Sequence, residues 1–269
     1  MIGAAARSAP ALIWLLATIG ILVLFAPLLA VLLRIEWAQV PAILTSDTAL
    51  QALRLSLMTA ALATVLCVIL GVPIAIVLTR LTGFAAVLLR GAVMLPLILP
   101  PLVGGMALLL LFGRGGMLGE VGLQLQFTTA AVVLAQAFVA MPFLVISVEG
   151  ALRSADRELE AVAEGLGARP VTVLRRVTLP LIAPALSSGI ILSFTRALGE
   201  FGATAMFAGN SPGTTQTIPL AIYTAFNGAG VGRDTALALA LLLICIAFAT
   251  LLLLHGRPAT RELLAKGAQ

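Results

Sequence analysis

Long apolar runs, separated by short polar or charged segments, dominate the chain. Six of the runs are long enough to cross a membrane as helices, which takes about 20 residues each. We predict spans at residues 11–33, between Arg54 and Arg80, between Arg90 and Arg114, and at 129–148, 183–207 and 235–254. The first run is too long for the apolar part of a signal peptide, so we expect it to remain as an uncleaved span. The predicted fold class is all-α, a polytopic membrane helical bundle with six transmembrane helices.

The composition supports a membrane protein. Hydrophobic residues make up 61% of the chain and charged residues only 10%, whereas a soluble domain carries about 25% charged residues. The net charge is +5, but the basic residues are scattered at the ends of spans rather than gathered in a patch. We therefore expect the lipid bilayer as a partner and no nucleic acid. No soluble segment stands out, so residues 1–269 are predicted to form a single transmembrane domain.

One charged stretch, residues 151–180, interrupts the apolar pattern. Its sequence is ALRSADRELEAVAEGLGARPVTVLRRVTLP. Apolar residues recur there at steps of three and four, which predicts one amphipathic helix over residues 152–167, with its apolar stripe at Leu152, Ala155, Leu159, Val162 and Leu166. Pro170 is placed to open a second short helix. The stretch is too short and too charged to cross a membrane. It is either a solvated knob or a docking element for a partner.

The third span contains the sequence LPLILPPLVGG, with prolines at 96, 100 and 101 and glycines at 104 and 105. Three prolines cannot lie in one regular helix, because each lacks the backbone N–H that the helix needs. We predict that this span is kinked or broken. Broken helices in membranes often line a pathway, although a kink can also serve packing alone.

Two ionisable residues, Arg196 and Glu200, fall inside the predicted fifth span, with Gly199 and Gly202 beside them. They are four residues apart, so we expect them on one face of the helix. A pair within a membrane must face the bundle interior, water or a partner charge. It either neutralises itself and fixes helix packing, or helps an anion through and forms part of a gate.

The sequence lacks the usual signs of catalysis. It contains no P-loop motif, and His255 is its only histidine. Cys67 and Cys245 both lie in apolar runs without metal-ligand spacing. We predict no catalytic residue, no metal site and no cofactor in this chain. Two alternatives to a transporter subunit stay open here: a self-contained channel or secondary transporter, and a membrane enzyme with a sparse site.

Charge also predicts the orientation. With six spans both termini lie on one side, which carries eleven of the assigned basic residues, against three on the opposite side. Basic residues accumulate on the cytoplasmic side of membrane proteins. We expect both termini and residues 151–180 to be cytoplasmic.

The charged stretch resembles the EAA loop of binding-protein-dependent ABC importer permeases. The resemblance is carried by Ala163, Gly167, Val177 and the pair Leu179–Pro180 at the spacing of that motif. Glu160 stands one residue before the position of the motif's glutamate.

Two further segments narrow the resemblance. LPLILPPLVGG in the third span, and FTRALGEFGATAMFAGN followed by TQTIPLAIY, resemble molybdate permease subunits, whose near relatives are the sulfate and thiosulfate permeases. The resemblance implies a type I ABC importer permease for molybdate or tungstate in the cytoplasmic membrane of a prokaryote, with a sulfate or thiosulfate permease as the alternative. Its implied partners are a second copy of the chain, two separate ATPase subunits that bind ATP and Mg²⁺, and an extracytoplasmic oxyanion-binding protein.

The resemblance also implies roles for residues. A cytoplasmic coupling helix would dock on the ATPase through Leu159, Glu160, Ala163, Glu164, Leu166, Gly167 and Ala168. From the broken third span and the ionisable pair, rather than from the resemblance, we predict that the translocation pathway and gate involve Pro100, Pro101, Gly104, Arg196, Gly199, Glu200 and Gly202.

Overall fold

The computed structural model describes residues 10–155, 157–228 and 232–255. Within these residues the chain forms twelve α-helices and one short π-helical segment. They are α1 Ala11–Arg34, α2 Val40–Leu44, α3 Asp47–Arg80, α4 Gly83–Ile98, α5 Pro101–Phe112, α6 Thr129–Ser154, α7 Arg157–Gly165, α8 Pro170–Val173, the π-helical segment Leu174–Thr178, α9 Leu179–Leu198, α10 Gly202–Phe207, α11 Ile218–Phe226 and α12 Arg233–His255.

Membrane-spanning helices account for most of the described chain. Five are long and apolar enough to cross a bilayer: α1, α3, α6, the continuous stretch Pro170–Leu198, and α12. The pair α4 and α5 meets the same criteria together but is bent by 113°, and it makes a sixth span if counted as one. The predicted all-helical, polytopic architecture is thus confirmed, including the break in the third span.

Three helices, α3, α6 and α9, pack together to form the centre of the bundle. Small residues let their backbones approach closely. The hydroxyl of Ser193 donates to the carbonyl of Ala140 at 3.2 Å, and that of Ser147 donates to the carbonyl of Ala185 at 2.8 Å. A Cβ atom added to Gly189 would lie 3.1 Å from the Cβ of Ser147. By contrast, α1 packs beside α12 and buries none of its own residues.

Two predicted boundaries on the amino-terminal side were wrong. We predicted the second span between Arg54 and Arg80, but α3 begins at Asp47, because the hydroxyl of Ser46 accepts from the backbone N–H of Ala49 and caps the helix. We also predicted that the third span begins after Arg90, but α4 begins at Gly83. Arg90 lies inside α4, where its Nη2 is 2.6 Å from Oε1 of Glu149 on α6.

The charged stretch is divided differently from the prediction. The single helix expected over residues 152–167 is two helices, since α6 continues to Ser154, Ala155 is extended and α7 begins at Arg157. Leu152 is buried in the bundle core and belongs to α6. A salt bridge of 2.9 Å from Arg153 to Glu149, one turn earlier, supports the extra turn. Pro170 opens a short helix as predicted.

The fifth span also differs from the prediction of 183–207. It runs from Pro170 to Leu198 and ends at Gly199, and α10 is a separate short helix. Glu200 therefore lies outside the helix that carries Arg196.

Candidate functional site: two helix breaks and an exposed amphipathic helix

The first helix break, between α4 and α5, follows directly from its prolines. Leu99 and Pro100 both have extended backbones, which the residue before a proline favours, and each is followed by a proline. Pro101 then opens α5 at its first position, where a missing N–H costs nothing. The break turns the chain by 113°.

The second break separates α9 from α10 and is stabilised by the carboxylate of Glu200. One oxygen, Oε1, accepts from the backbone N–H of Ala203 at 2.8 Å. The other, Oε2, lies 2.6 Å from Nη2 of Arg196. The side chain of Glu200 is 1% exposed and that of Arg196 is 27% exposed. The carboxylate therefore joins the end of α9 to the first turn of α10, where a negative charge is favourable.

The two breaks lie against each other. A Cβ atom added to Gly202 would be 2.9 Å from the Cβ of Pro101, and one added to Gly105 would be 2.7 Å from the carbonyl oxygen of Ala203. The backbones of α5 and α10 are therefore in direct contact, which only glycine permits at these two positions.

This close contact gives a stability prediction. We expect Gly105→Ala to lower the free energy of unfolding by about 1–3 kcal/mol, the usual cost of overpacking. Gly91→Ala is the matched control, because it lies inside α4 with nothing within 4 Å of its added Cβ, and we expect a change below about 1 kcal/mol. Thermal unfolding of the purified protein in detergent measures both. Equal midpoints for the two variants would contradict the contact.

The residues predicted for the pathway are only partly brought together. Pro101 meets Gly202, and Arg196 pairs with Glu200, as described above. Gly104 instead faces α6, where its added Cβ would be 2.9 Å from the ring of Phe138, and Gly199 has only its own helix nearby. Pro100 is exposed at the break itself.

Two buried polar residues of α6 were missed. Glu149 holds both Arg90 and Arg153, and its position at the end of an apolar run was an available signal. Gln136 is fully buried, and neither its amide nitrogen nor its oxygen has a partner in the described structure. Gln136 lies on α6, one helical turn before Ala140 and on the side of the second break. Only the fold reveals this position.

The amphipathic helix α7 stands outside the bundle with its apolar side exposed. Leu159, Val162 and Leu166 are all exposed, and Leu166 is 84% exposed. The helix is closed by backbone bonds from Leu166 to Val162 at 3.0 Å and from Gly167 to Glu164 at 2.9 Å. Gly167 has a φ of +83°, in the left-handed region that glycine adopts without strain.

The inner side of α7 is attached to the fifth span. Oε1 of Glu160 accepts a hydrogen bond from the hydroxyl of Thr178, the last residue of the π-helical segment. Ala163 and Ala168 are half-buried and joined by a backbone bond of 3.1 Å. A cavity of about 250 Å³ lies beside them, lined in part by Arg80, Glu160 and Glu164. Of the predicted coupling residues, Leu159, Glu164, Leu166 and Gly167 are exposed, and Glu160, Ala163 and Ala168 support the helix from within.

Comparison with known proteins identifies this architecture. Residues 67–257 match the family described as binding-protein-dependent transport system inner membrane component. The chain belongs to this family. It is a multi-pass membrane permease component and not an enzyme.

Individual relatives support the same family assignment. The chain is 50% identical over 242 residues to the molybdenum transport system permease protein of Mycobacterium tuberculosis, covering 88% of this chain and 90% of that protein. It is 39% identical over 213 residues to the Escherichia coli protein of the same description, covering 77% and 93%.

A solved structure shares the fold. It is a bacterial ABC transporter involved in the import of the acidic polysaccharide alginate, with a TM-score of 0.72 at 17% identity and coverage of 93% of this chain and 94% of that chain.

Proposed function

We propose that this chain is the permease subunit of an ATP-driven importer for molybdate, formed by a single transmembrane domain over residues 1–269. The observation that carries the proposal is the 50% identity, over 88% of the chain, to a molybdenum transport system permease. Fold alone would not support a substrate, because one fold hosts many functions.

The proposed assembly contains two copies of this chain, which form the pathway between them. Two separate ATPase subunits bind ATP and Mg²⁺ at the cytoplasmic face, and a binding protein delivers the oxyanion from outside. The excess of basic residues around α7 and near the termini supports a cytoplasmic location for α7 and for both termini. The assembly lies in the inner membrane of a prokaryote.

The coupling surface is the exposed side of α7. Leu159, Glu164, Leu166 and Gly167 contact the ATPase, while Glu160, Ala163 and Ala168 fix the helix to the permease. Exposed apolar residues on a short helix outside the membrane favour a protein partner, since lipid does not reach them. ATP-driven closure of the ATPases moves α7, and the bond from Thr178 to Glu160 passes the movement to the fifth span.

The pathway and gate lie at the two helix breaks. They involve Pro100, Pro101, Gly104, Arg196, Gly199, Glu200 and Gly202. The fifth span carries the Thr178 bond near one end and Arg196 near the other. A movement that begins at α7 therefore reaches the contact between α5 and α10 along one helix.

The Thr178 bond gives a coupling prediction. Thr178→Val keeps the side-chain shape but removes the donor to Glu160, so we expect molybdate uptake per ATP hydrolysed to fall about tenfold, the lower end of the scale of one hydrogen bond to a charged group. Thr178→Ser keeps the hydroxyl and is expected to retain coupling. Uptake and ATP hydrolysis measured on the same proteoliposomes give the ratio. An unchanged ratio in Thr178→Val would show that the bond transmits nothing.

The substrate is tested by uptake of labelled molybdate in cells that lack this chain and in cells to which it is restored. We expect uptake that requires the chain and is blocked by excess tungstate but not by sulfate. Strong competition by sulfate would move the substrate to the sulfate and thiosulfate class. Uptake that is the same with and without the chain would overturn the proposal.

A further inference from the structure

An arginine without a partner lies near the start of α3. Arg54 is exposed and forms no hydrogen bond or ion pair with any part of the chain that the structure describes. Arg90, Arg153 and Arg196, which also lie in spanning helices, each hold a buried carboxylate. Unlike these three arginines, Arg54 keeps a charge that no carboxylate in the described part of the chain neutralises.

The position of Arg54 is far from the coupling helix. Arg80, at the other end of α3, lines the cavity beside α7. Twenty-six residues of α-helix separate Arg54 from Arg80, or about 39 Å at 1.5 Å per residue. That distance exceeds the roughly 30 Å of the hydrocarbon core of a bilayer. Arg54 is thus at the membrane face opposite α7.

Arg54 lines a cleft of about 430 Å³ together with Gln51, Leu55, Met58 and Gly213. Gly213, with a φ of +73°, brings the loop 208–217 over α3, and its added Cβ would lie 3.4 Å from Oε1 of Gln51. None of the residues that line the cleft is acidic. The charge of Arg54 is therefore not neutralised within the cleft, and the amide of Gln51 adds hydrogen-bonding groups at its rim.

The chemistry of this cleft suits a tetrahedral oxyanion. A guanidinium presents paired N–H groups that match two oxygens of an oxyanion, and such charge-assisted bonds are about twice as strong as neutral ones. We propose that Arg54 and Gln51 form a receiving site for the oxyanion at the extracytoplasmic mouth of the permease. The site rests on the proposed function and adds a substrate contact at a distance from the two helix breaks. Its exposure keeps binding weak, so the anion passes on.

The test compares initial rates of ATP-dependent molybdate uptake in proteoliposomes that contain the complete transporter with saturating binding protein. We expect Arg54→Gln to lower the rate about tenfold. Arg54→Lys keeps the charge but lacks the paired N–H groups of the guanidinium, and we expect it to lower the rate about threefold. Arg114→Gln is the matched control, because Arg114 is an exposed arginine in the loop that follows α5, outside the cleft. Its rate is expected to stay within twofold of the unsubstituted protein.

A second variant separates loss of charge from misfolding. Arg54→Cys, combined with Cys245→Ala, leaves buried Cys67 as the only other cysteine. Modification with a cationic ethylammonium thiosulfonate restores the positive charge and is expected to restore uptake. The anionic ethylsulfonate reagent is expected to lower uptake further. Equal effects of the two reagents would overturn the site.

Lipid phosphate offers the same oxyanion chemistry, so the rates are also compared in phosphatidylcholine vesicles with and without phosphatidylglycerol. If Arg54 receives the oxyanion, the uptake rate of Arg54→Gln divided by that of the unsubstituted protein is the same in both kinds of vesicle. A value that changes with the lipid would show instead that Arg54 binds a lipid headgroup. Weaker docking of the binding protein to Arg54→Gln, measured as its Kd, would assign Arg54 to that protein. Normal uptake by Arg54→Gln overturns the site and leaves the proposed function intact. No oxyanion uptake by the unsubstituted transporter overturns both.

Discussion

Replacing Arg196 with methionine is expected to lower the free energy of unfolding by about 3 kcal/mol, because it leaves a buried carboxylate without its counter-charge. Glu200 is 1% exposed and would retain only the backbone N–H of Ala203. Chemical denaturation of the purified protein in detergent measures the loss. A variant as stable as the unsubstituted protein would contradict the buried ion pair.

The double variant Arg196→Met/Glu200→Gln decides what the pair is for. The neutral amide still accepts from Ala203 and needs no cation, so we expect most of the stability to return. We also expect molybdate uptake to return, since within the proposed gate the pair connects α9 to α10 and does not itself contact the anion. Recovered stability with lost uptake would contradict this and assign Arg196 to passage of the anion.

The second large effect is expected at the coupling surface. Leu166→Glu should weaken binding of the ATPase subunit about 30-fold, the loss of about 2 kcal/mol typical of a residue central to an interface. Leu166 is 84% exposed, so the permease itself should fold normally. Retention of the ATPase subunit during purification of the complex, followed by molybdate uptake, measures both steps.

Val121→Glu is the matched control for this variant. Val121 is 77% exposed in the loop that follows α5, on the opposite side of the membrane in the proposed topology. It carries the same change in charge and polarity, and we expect it to bind the ATPase like the unsubstituted protein. Normal ATPase binding and uptake by Leu166→Glu would contradict α7 as the coupling surface.

The broken third span was predictable from sequence because its cause is local. Pro100 and Pro101 each remove a backbone donor and restrict the residue before them, whatever surrounds them. The contact of this break with Gly202 was not predictable. It depends on how α5 and α10 pack, and nothing in the spacing of two distant glycine-containing segments specifies that.

The helix of the charged stretch was predicted with the wrong start because apolar periodicity does not tell what each residue packs against. Leu152 and Leu159 fit one stripe, yet Leu152 is buried in the bundle core and Leu159 is exposed. The pairing of Glu149 with Arg90 spans 59 residues of sequence. Such a bond arises only from tertiary packing, and it involves Glu149, the first residue of α6 beyond the predicted end of its span.

Arg196 and Glu200 form the ion pair that was considered from their spacing, but the prediction that both lie on one face of the same helix was wrong. Glu200 is not on the same helix as Arg196. Helix α9 ends at Gly199. The carboxylate of Glu200 then pairs with Arg196 on one side and accepts from the backbone N–H of Ala203 on the other. A capping interaction formed by a residue outside a helix looks the same in sequence as a pair inside one.

The most direct test of the account is accumulation of labelled molybdate in proteoliposomes that contain this chain, its ATPase subunits and the binding protein. We predict accumulation that requires ATP and all three components, and that is lost in Leu166→Glu. Molybdate flux that needs no ATPase subunit and follows an imposed ion gradient would contradict the account and identify a self-contained transporter.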